Sequence, residues 1–436
     1  MRVPLRWVSL LLLVLIASCT PRAHTLILWH ALEGEHERAL LALIDRWNQS
    51  ASADFVVVPE QRTADLQHRA LMQRFEDGRA PDLVLVTPEQ MVVYAQRGYL
   101  TALEPLIFSA DPALGLSAPE REALFPFVLI AGRWNGRLFG IPQGGQMRLV
   151  FVNQLRLQEM QNVFDREVSL PITTTVLMEQ CAKASDFALG RACFAIAAEA
   201  ITLEEWALAY GADLPEGTKP ALDASAARTA LNALLEQVNQ FHAVRVRTSL
   251  EAEALFAAGD LLFITAWSGR ARAIVQRVRS AENFPLLVTV LPSENGTARA
   301  PLRAPLWVIP RTDATRQQRA WRFVRWLLEP EQTAEYAART SELPAHREAL
   351  PLVAETLLGT PAAPKALAEM LAAAAPLPPR AAQGCIDRVL ARALSLSLSS
   401  GEVEAQLAET QAELQRLETR YCLGEMLKPS AQTVAR

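Results

Sequence analysis

The stretch Trp134–Asn153, WNGRLFGIPQGGQMRLVFVN, decides the fold of this chain. Its Asn135-Gly136 pair is a strong signal for a two-residue turn, because both residues tolerate positive φ angles, and it predicts a hairpin. Gly144-Gly145 then interrupts the apolar run before Leu149–Val152, which is typical of a buried strand. We therefore expect two strands joined by a pliable, polar hinge, although a simple hairpin followed by a buried strand fits the same residues.

Length and composition restrict the class of protein. The chain has 436 residues, of which 50% are hydrophobic, so it can bury large cores and should form two domains rather than one. The formal net charge of −4 offers no basic surface for a nucleic acid partner. The six His are scattered rather than clustered, and no serine-hydrolase elbow, H-E-x-x-H helix, P-loop or dinucleotide fingerprint occurs. We expect no metal site, no cofactor and no enzymatic activity.

Residues 1–18 are predicted to be a signal peptide. Two arginines flank the start of the apolar run Trp7–Ala17, which is too short to span a bilayer and has the length of a signal-peptide core. The segment Ile16–Cys19 is similar to a bacterial lipobox, in which the cysteine becomes the lipidated first residue. We therefore expect an exported protein that is anchored to the membrane by acyl chains on Cys19. A simple secretory signal with an incidental cysteine is the alternative.

Four further cysteines are expected to form disulfides, because an even number in an exported protein favours pairing. Three connectivities are possible, and the sequence-local pairs Cys181 with Cys193 and Cys385 with Cys422 are preferred. Their spacing does not resemble a zinc site. Four buried free thiols are the alternative.

The first part of the chain alternates strands with helices. Thr25–His30, Phe55–Val58 and Pro81–Val86 read as strands, and amphipathic helices are expected over Glu35–Trp47 and Asp65–Phe75. This alternation predicts a parallel sheet with helices on both faces. Ligands bind beyond the carboxyl ends of the strands in such sheets, so the loops after the first and third strands are the places to look.

The later part reads as rich in helices. Thr202 and Glu205 have the spacing of a capping box, which predicts a helix start, and Ala224–Phe241 is a second long helix. Val288–Pro292 is predicted to be a strand that crosses back toward the first lobe. The region Gln383–Leu423 is predicted to be helical and packed on the second lobe, with a coiled-coil surface as the alternative.

Three blocks of sequence, in order, resemble the extracellular solute-binding proteins of ABC importers, family 1, of the maltose-binding type. They are ILWHALEGEHERALLALIDRWNQ at 27–49, DGRAPDLVLVTPEQMVVYAQRGYLTALEPL at 77–106, and FAAGD with LLFITAW at 256–267. The opening stretch is similar to the first crossing between lobes in that family, and only about 159–239 is poorly matched. The resemblance implies a monomeric, α/β fold of the type II periplasmic-binding-protein kind, with two lobes, each a central sheet flanked by helices, joined by a hinge.

The resemblance also implies the lobe limits and the function. The first lobe would comprise 19–143 with a returning segment 299–345, and the second lobe 144–298 with the C-terminal helices and tail at 346–436. The protein would capture a carbohydrate or polyol by hinge closure and deliver it to the permease subunits of an ABC transporter. An acidic or phosphorylated sugar such as glycerol 3-phosphate, and a lipoprotein scaffold with a degenerate cleft, are the alternatives.

Candidate ligand-binding residues in the first lobe follow strands one and three. By the family's pattern Glu33 and Glu89 accept hydrogen bonds from sugar hydroxyls, Thr87 donates one, and Trp29-His30 forms one wall of the site. In a purely structural role Glu33 would complement a helix dipole, Glu89 would be a solvated loop charge and Trp29 would lie in the core. Gln146 lies in the hinge strand, at a position where members of the family often carry a further polar residue that binds the ligand.

Candidates in the second lobe gather at the end of the strand Leu261–Ala266. Trp267 follows it directly, so its ring should face the cleft, where the matching family tryptophan stacks on sugar; a plug at the base of the lobe is the alternative. Ser268 and Arg270 form the polar loop beyond. Arg303 lies in a segment expected at the cleft, and an arginine fork there would bind a carboxylate or phosphate.

Overall fold

The computed structural model describes residues 24–50, 54–164, 173–212, 224–359 and 364–417. The predicted signal peptide, the anchor Cys19 and the tail cysteine Cys422 lie outside these residues. Among the described residues, no helix is both long and apolar enough to cross a membrane. Nor do they contain a group of three or more His, Cys, Asp or Glu side chains that could hold a metal ion.

The strands of the described chain are numbered in order. They are β1 His24–His30, β2 Phe55–Gln61, β3 Leu83–Val86, β4 Gly132–Trp134, β5 Arg137–Ile141, β6 Gly144–Asn153, β7 Phe194–Ala197, β8 Ala243–Val246, β9 Phe263–Trp267, β10 Leu286–Thr289, β11 Ala300–Arg303, β12 Leu306–Val308, β13 Leu343–Pro344 and β14 Ala374–Pro376.

The α-helices are numbered in the same way. They are α1 Gly34–Gln49, α2 Ala64–Glu76, α3 Pro88–Gln96, α4 Glu104–Ile107, α5 Ala118–Ala123, α6 Gln154–Phe164, α7 Thr174–Ala184, α8 Ala200–Ala209, α9 Ala224–Asn239, α10 Ser249–Ala257, α11 Ala271–Ser280, α12 Ala314–Leu327, α13 Pro330–Thr340, α14 Leu350–Val353, α15 Pro364–Ala372, α16 Gln383–Ser400 and α17 Val403–Leu417.

The first sheet has the strand order β2-β1-β3-β12-β5-β4. The strands β1, β2 and β3 are parallel, as the alternation of strands and helices predicts, and β12 joins β3 and β5 antiparallel. Helices cover both faces: Leu28 packs in a core with Leu40 of α1 and Phe323 of α12, whereas its neighbour Trp29 packs on the other face with Leu71 of α2. Alternation along a strand sends successive side chains to opposite faces.

The predicted hairpin is confirmed. The strands β4 and β5 pair antiparallel with Trp134 opposite Arg137, so the turn consists of Asn135 and Gly136. Both turn residues have positive φ, 49° and 74°, which is the combination that a two-residue turn of the primed kind requires.

The second sheet is built around the long strand β6. It has the order β10-β6-β11-β14, and both β9 and β13 pair with β6 as well. The pair Gly144-Gly145 opens β6 rather than forming a loose loop before it. A Cβ at Gly144 would lie 2.8 Å from the carbonyl oxygen of Leu343, and one at Gly145 would lie 3.1 Å from that of Arg303. Close approach of neighbouring backbone therefore requires glycine here.

The chain returns to the first sheet later than the sequence predicts. We expected Val288–Pro292 to be the crossing strand, but β10 ends at Thr289 and pairs with residues 150–153 of β6, so it stays in the second sheet. The next strand, β11, also pairs with β6, whereas β12 pairs with β3. The crossing is therefore the short segment Ala304-Pro305.

The predicted capping box at Thr202 is wrong. Helix α8 begins at Ala200 after the N-cap residue Glu199, and both Thr202 and Glu205 are buried inside it. Every residue of α8 is buried, so packing rather than a local cap sets where the helix starts. Glu205 instead pairs with Arg148 of β6.

Two further predictions for the later part of the chain are confirmed. Cys181 and Cys193 form a disulfide with their Cα atoms 5.0 Å apart, which ties α7 to the residue before β7. Of the predicted C-terminal helical region Gln383–Leu423, the described part consists of α16 and α17, and Leu394, Leu407 and Leu414 are buried in one core with Val150 and Val152 of β6. Gly401, with φ of 77°, ends α16 in the left-handed conformation.

Candidate ligand-binding cleft

A cleft of about 360 Å³ is lined by residues of the second sheet, by residues that adjoin strands of the first sheet, and by the C-terminal part of the chain. Its lining residues are Thr87, Pro88, Glu89, Ala131, Gln146, Trp267, Leu302, Arg303, Ala304, Pro305, Glu342, Leu377, Pro378 and Gln383. The predicted residues Thr87, Glu89, Gln146, Trp267 and Arg303 are thus brought together from distant parts of the sequence. The crossing Ala304-Pro305 lies in the same wall.

Trp267 stands at the end of β9 with its side chain half-buried at the cleft. In the sheet it lies opposite Arg148 of β6. The guanidinium carbon of Arg148 lies 5.6 Å from the centre of the indole ring, and that of Arg303 lies 5.4 Å from it. Both distances are within the range of a cation–π contact. Two guanidinium groups therefore contact the indole ring, and the ring is also part of the cleft lining.

A buried ion pair lies behind Trp267. Arg148 donates from Nε to Glu205 over 3.0 Å and also bonds the hydroxyl of Thr265, and both charged side chains are almost fully buried. Burial raises the pKa of Glu205, while the guanidinium of Arg148 opposes that shift. The pair satisfies the charge of Arg148, so this arginine supports Trp267 rather than offering its donors to the cleft.

Arg303 is bonded much less completely. Its guanidinium lies 3.9 Å from Glu204 and 3.7 Å from Asp387, both beyond hydrogen-bonding distance, and its side chain is 38% exposed. Glu204 also lies 3.6 Å from Arg380. Burial raises the pKa of Glu204 to about 7, although Arg380 and Arg303 favour its ionised form. Arg303 therefore presents polarised N–H donors at the wall of the cleft.

Gln383 is a cleft residue that the sequence analysis missed. It is the first residue of α16, its side chain is buried, and its Nε2 donates to Asp387 Oδ1 over 2.7 Å. An amide can both accept from and donate to hydroxyl groups. No local motif marks this position, because only the packing of α16 on the second lobe brings it to the cleft.

The other wall carries Thr87 and Glu89, at the start of α3. The hydroxyl of Thr87 accepts from the backbone N–H of Gln90 over 3.3 Å, and the side chain of Gln90 accepts in return from the backbone N–H of Thr87, which is a capping box. The Thr87 hydroxyl proton is not used in that cap, so it can donate to a ligand. Glu89 lies in the first turn of the helix, where its charge also complements the helix dipole.

Glu342 is a second cleft residue that the sequence analysis missed. It precedes β13, its side chain is buried, and Oε1 lies 3.2 Å from Nε2 of His36 in α1. The hydrogen bond to this carboxylate raises the pKa of His36, although partial burial of the imidazole opposes that rise. Glu342 thus adds a buried acidic side chain at the junction of the two sheets.

The remaining candidates do not line the cleft. Trp29 is buried in the core, where the guanidinium carbon of Arg62 lies 4.0 Å from its ring centre. His30 is buried and its Nδ1 accepts from the backbone N–H of Leu32, while burial lowers its pKa. Glu33 is exposed at the N-terminal boundary of α1. That position fits the alternative role, in which its charge complements the helix dipole.

Two candidates that follow β9 are likewise bonded to other residues. The hydroxyl of Ser268 is buried and accepts from the backbone N–H of Met147 over 3.2 Å. Arg270 is held by both oxygens of Glu253, at 2.9 and 2.7 Å. Both side chains fix the loop that follows Trp267, so they position the cleft from behind instead of lining it.

The fold and the cleft define a class of protein: a mixed α/β molecule with two helix-flanked sheets and a solute-sized cleft lined by residues of the second sheet and residues that adjoin the first. Solved structures share this architecture across nearly their whole length. The sugar-binding protein MalE from the phytopathogen Xanthomonas citri superposes with a TM-score of 0.74 at 19% identity, covering 90% of this chain and 97% of that one. The cyclic alpha-maltosyl-1,6-maltose binding protein from Arthrobacter globiformis gives 0.72 at 15% identity, covering 90% and 98%.

The chain belongs to the family described as bacterial extracellular solute-binding protein, whose sequence profile matches residues 42–365. It is therefore an exported binding protein and not an enzyme, and its fold is the type II periplasmic-binding-protein fold that we expected. UgpB from Mycobacterium tuberculosis, solved in complex with glycerophosphocholine, also shares the fold, with a TM-score of 0.65 at 19% identity over 90% of this chain and 98% of that one. A search of curated proteins finds no match.

Proposed function

We propose that the protein captures a carbohydrate or related polyol in this cleft by hinge closure and delivers it to the permease of an ABC importer. The observation that carries the proposal is the half-buried ring of Trp267 at the wall of a cleft that is also lined by amide, hydroxyl and carboxylate side chains. A sugar has a weakly apolar face and a rim of hydroxyls, so a flat ring with polar groups around it is the arrangement that suits it.

Hinge closure is supported by the way the chain passes between the sheets. It crosses between β5 and β6, at Pro142-Gln143, between β11 and β12, at Ala304-Pro305, and a third time between β12 and β13, and the crossing at Ala304-Pro305 itself lines the cleft. The first lobe would carry the first sheet and the second lobe the second sheet. A ligand that contacts both walls then stabilises the closed state by its differential affinity for that state.

The anchoring and delivery steps follow from the sequence and the family. The lipobox-like Ile16–Cys19 supports a lipid anchor on the outer face of a membrane, where an extracellular solute-binding protein would meet its transporter. In this proposal the protein acts as a monomer, and its partners are the solute, the permease subunits and the membrane reached through the anchor.

A second candidate ligand is an acidic or phosphorylated sugar. The observation in its favour is Arg303, whose guanidinium is part-exposed at the cleft and lies beyond hydrogen-bonding distance of both neighbouring carboxylates. A guanidinium with available donors binds phosphate or carboxylate in a fork geometry. The UgpB complex with glycerophosphocholine has the same fold and a phosphate-containing ligand.

A thermal-shift screen over neutral sugars, sugar phosphates and polyols tests the proposal. A ligand present at 100 times its dissociation constant adds about 2.7 kcal/mol to the free energy of unfolding, which gives a clear rise in Tm. A rise with neutral saccharides supports the first candidate, and a rise with sugar phosphates alone supports the second. A flat response across the screen would favour the scaffold with a degenerate cleft.

A further inference from the structure

The charged groups around Arg303 form a cluster that is assembled from separate segments of the chain. Arg303 of β11 faces Glu204 of α8 and Asp387 of α16, and Glu204 in turn faces Arg380 from the segment before α16. Two cations thus face two carboxylates. When both carboxylates are ionised, the cluster carries no net charge, although one of its cations lines the cleft.

We propose that Asp387 determines the charge specificity of the cleft. It balances the charge of Arg303, so that the site accepts neutral polyhydroxylated solutes and discriminates against solutes that carry a phosphate or carboxylate. This inference rests on the proposed solute-binding function, and it decides between the two candidate ligand classes.

The depth of each group supports this role. Glu204 and Arg380 have side chains only 2% and 4% exposed, so they are buried behind the cleft wall. Asp387 is 33% exposed and, although it is not itself part of the cleft lining, it lies 3.7 Å from the guanidinium of Arg303 that a solute would meet. An anion approaching the Arg303 guanidinium therefore also approaches the Asp387 carboxylate. Placing like charges together is an effective way to reject a wrong ligand.

The same carboxylate also holds a neutral polar group at the cleft. Asp387 Oδ1 accepts from Gln383 Nε2 over 2.7 Å, one turn earlier on α16. This bond fixes the buried amide of Gln383 at the cleft wall, where it can exchange hydrogen bonds with hydroxyls. Asp387 therefore disfavours anions and positions a group suited to neutral solutes at the same time.

Two other arginines near the cleft, Arg148 and Arg270, form complete ion pairs, unlike Arg303. Arg148 and Arg270 each have a carboxylate at hydrogen-bonding distance, at 3.0 and 2.7 Å. The carboxylates of Asp387 and Glu204 lie 3.7 and 3.9 Å from Arg303. They lower the electrostatic potential at Arg303 without accepting hydrogen bonds from its N–H groups. Those donors remain available to hydroxyl oxygens of a neutral solute.

The decisive variant is Asp387→Asn, which removes the charge and keeps an oxygen that can accept from Gln383. Inorganic phosphate is the probe, titrated by calorimetry at low ionic strength because screening weakens exposed charges. We expect the variant to bind phosphate at least about tenfold more tightly than the wild type, a change of about 1.4 kcal/mol. Asp387→Ala is a second variant with the same expected direction.

Two controls locate the effect. In the double variant Arg303→Gln with Asp387→Asn, the gain in phosphate affinity should disappear. Glu404→Gln removes another carboxylate of the second lobe, one that pairs with Arg228 at the surface, and should leave phosphate affinity unchanged.

An unchanged phosphate affinity in both Asp387 variants, or a gain that survives loss of Arg303, overturns the inference. So does a wild-type protein that prefers sugar phosphates to the matching neutral sugars. A wild type that binds no saccharide while Asp387→Asn gains phosphate through Arg303 would refute the proposed function and leave the role of Asp387 intact. The two failures can therefore be told apart.

Discussion

Arg148 and Glu205 form a buried ion pair directly behind the cleft tryptophan. The bond from Arg148 Nε to Glu205 Oε2 is 3.0 Å, and the two side chains are only 3% and 2% exposed. The same guanidinium lies against the ring of Trp267, its strand partner. The pair thus connects helix α8 to the strands that carry the cleft.

Glu205→Ala should destabilise the protein by about 3–5 kcal/mol, because it leaves the charge of Arg148 buried without its partner. Urea unfolding of the unlipidated mature domain measures the change. The control is Glu404→Ala, which breaks the exposed pair with Arg228 and should cost less than about 1 kcal/mol. Equal and small effects in the two variants would show that the Arg148 charge is compensated in some other way.

Trp267→Ala should lower solute affinity at least about tenfold, or about 1.4 kcal/mol, with little loss of stability, since the ring is half-buried at a strand end. Calorimetry with a solute from the screen measures the affinity. Trp47→Ala is the matched control: Trp47 is buried against Phe55 and Phe323, and its loss should cost about 3–5 kcal/mol of stability. A Trp267→Ala protein that melts far lower yet binds normally would contradict the stacking role.

The His36–Glu342 pair should make stability depend on pH. Because the folded-state pKa of His36 is raised, its contribution is fully present below the unfolded pKa of about 6.5 and is lost as pH rises through the folded pKa. Unfolding free energies of the wild type and His36→Gln, compared between about pH 5 and pH 8, isolate this contribution. The difference should shrink with rising pH. A constant difference would mean that the pair is not coupled to protonation.

Burial lowers the pKa values of His30, His68 and His346, and these residues act in the opposite direction. The dependence of wild-type stability on pH therefore combines histidines that stabilise the fold at low pH with histidines that destabilise it there. Subtracting the His36→Gln profile removes their contributions, because all three residues are present in both proteins.

Thiol titration of the denatured, unreduced mature domain should find none of the four cysteines after Cys19 free. The disulfide between Cys181 and Cys193 closes a loop with a sequence separation of 12. Loop-closure entropy for a loop of that size corresponds to about 3 kcal/mol, so reduction should lower the free energy of unfolding by a similar amount, which urea unfolding measures. Two titrating thiols would show that Cys385 and Cys422 are not paired.

Cys19→Ala should release the protein from the membrane fraction without changing solute affinity, because the predicted acyl anchor lies far in sequence from every residue of the cleft lining. Fractionation and immunoblotting measure the distribution. Retention of the variant in the membrane fraction would argue against lipidation at this cysteine.

The parts of the fold that sequence predicts well depend on local patterns. The Asn135-Gly136 turn follows from the φ angles that these residues tolerate, and β9 with Trp267 at its end follows from an apolar run that stops at a polar loop. Thr87 and Glu89 follow from the rule that sites lie beyond the carboxyl ends of strands. The first two signals need only neighbouring residues, and the third needs the alternation of strands and helices along the first part of the chain.

The parts that sequence misses depend on tertiary packing. Glu342 and Gln383 reach the cleft because β13 pairs with β6 and because α16 packs in the core beneath β6, and neither contact is marked by a local sequence pattern. Glu205 matched a local capping pattern, but full burial of α8 gives it another partner. Trp29 and His30 end the right strand, yet both are buried and neither lines the cleft.

Because Gln383 lines the cleft, the binding site is complete only after the C-terminal part of the chain has been made and has folded. An exported chain is made and moved across the membrane from its N-terminus, and the wall formed by Leu377, Pro378 and Gln383 comes after everything else that lines the cleft. Until that segment has emerged and folded onto the second lobe, the site lacks one side. A chain that folds as it emerges from its N-terminus therefore completes its cleft only when this last segment has appeared.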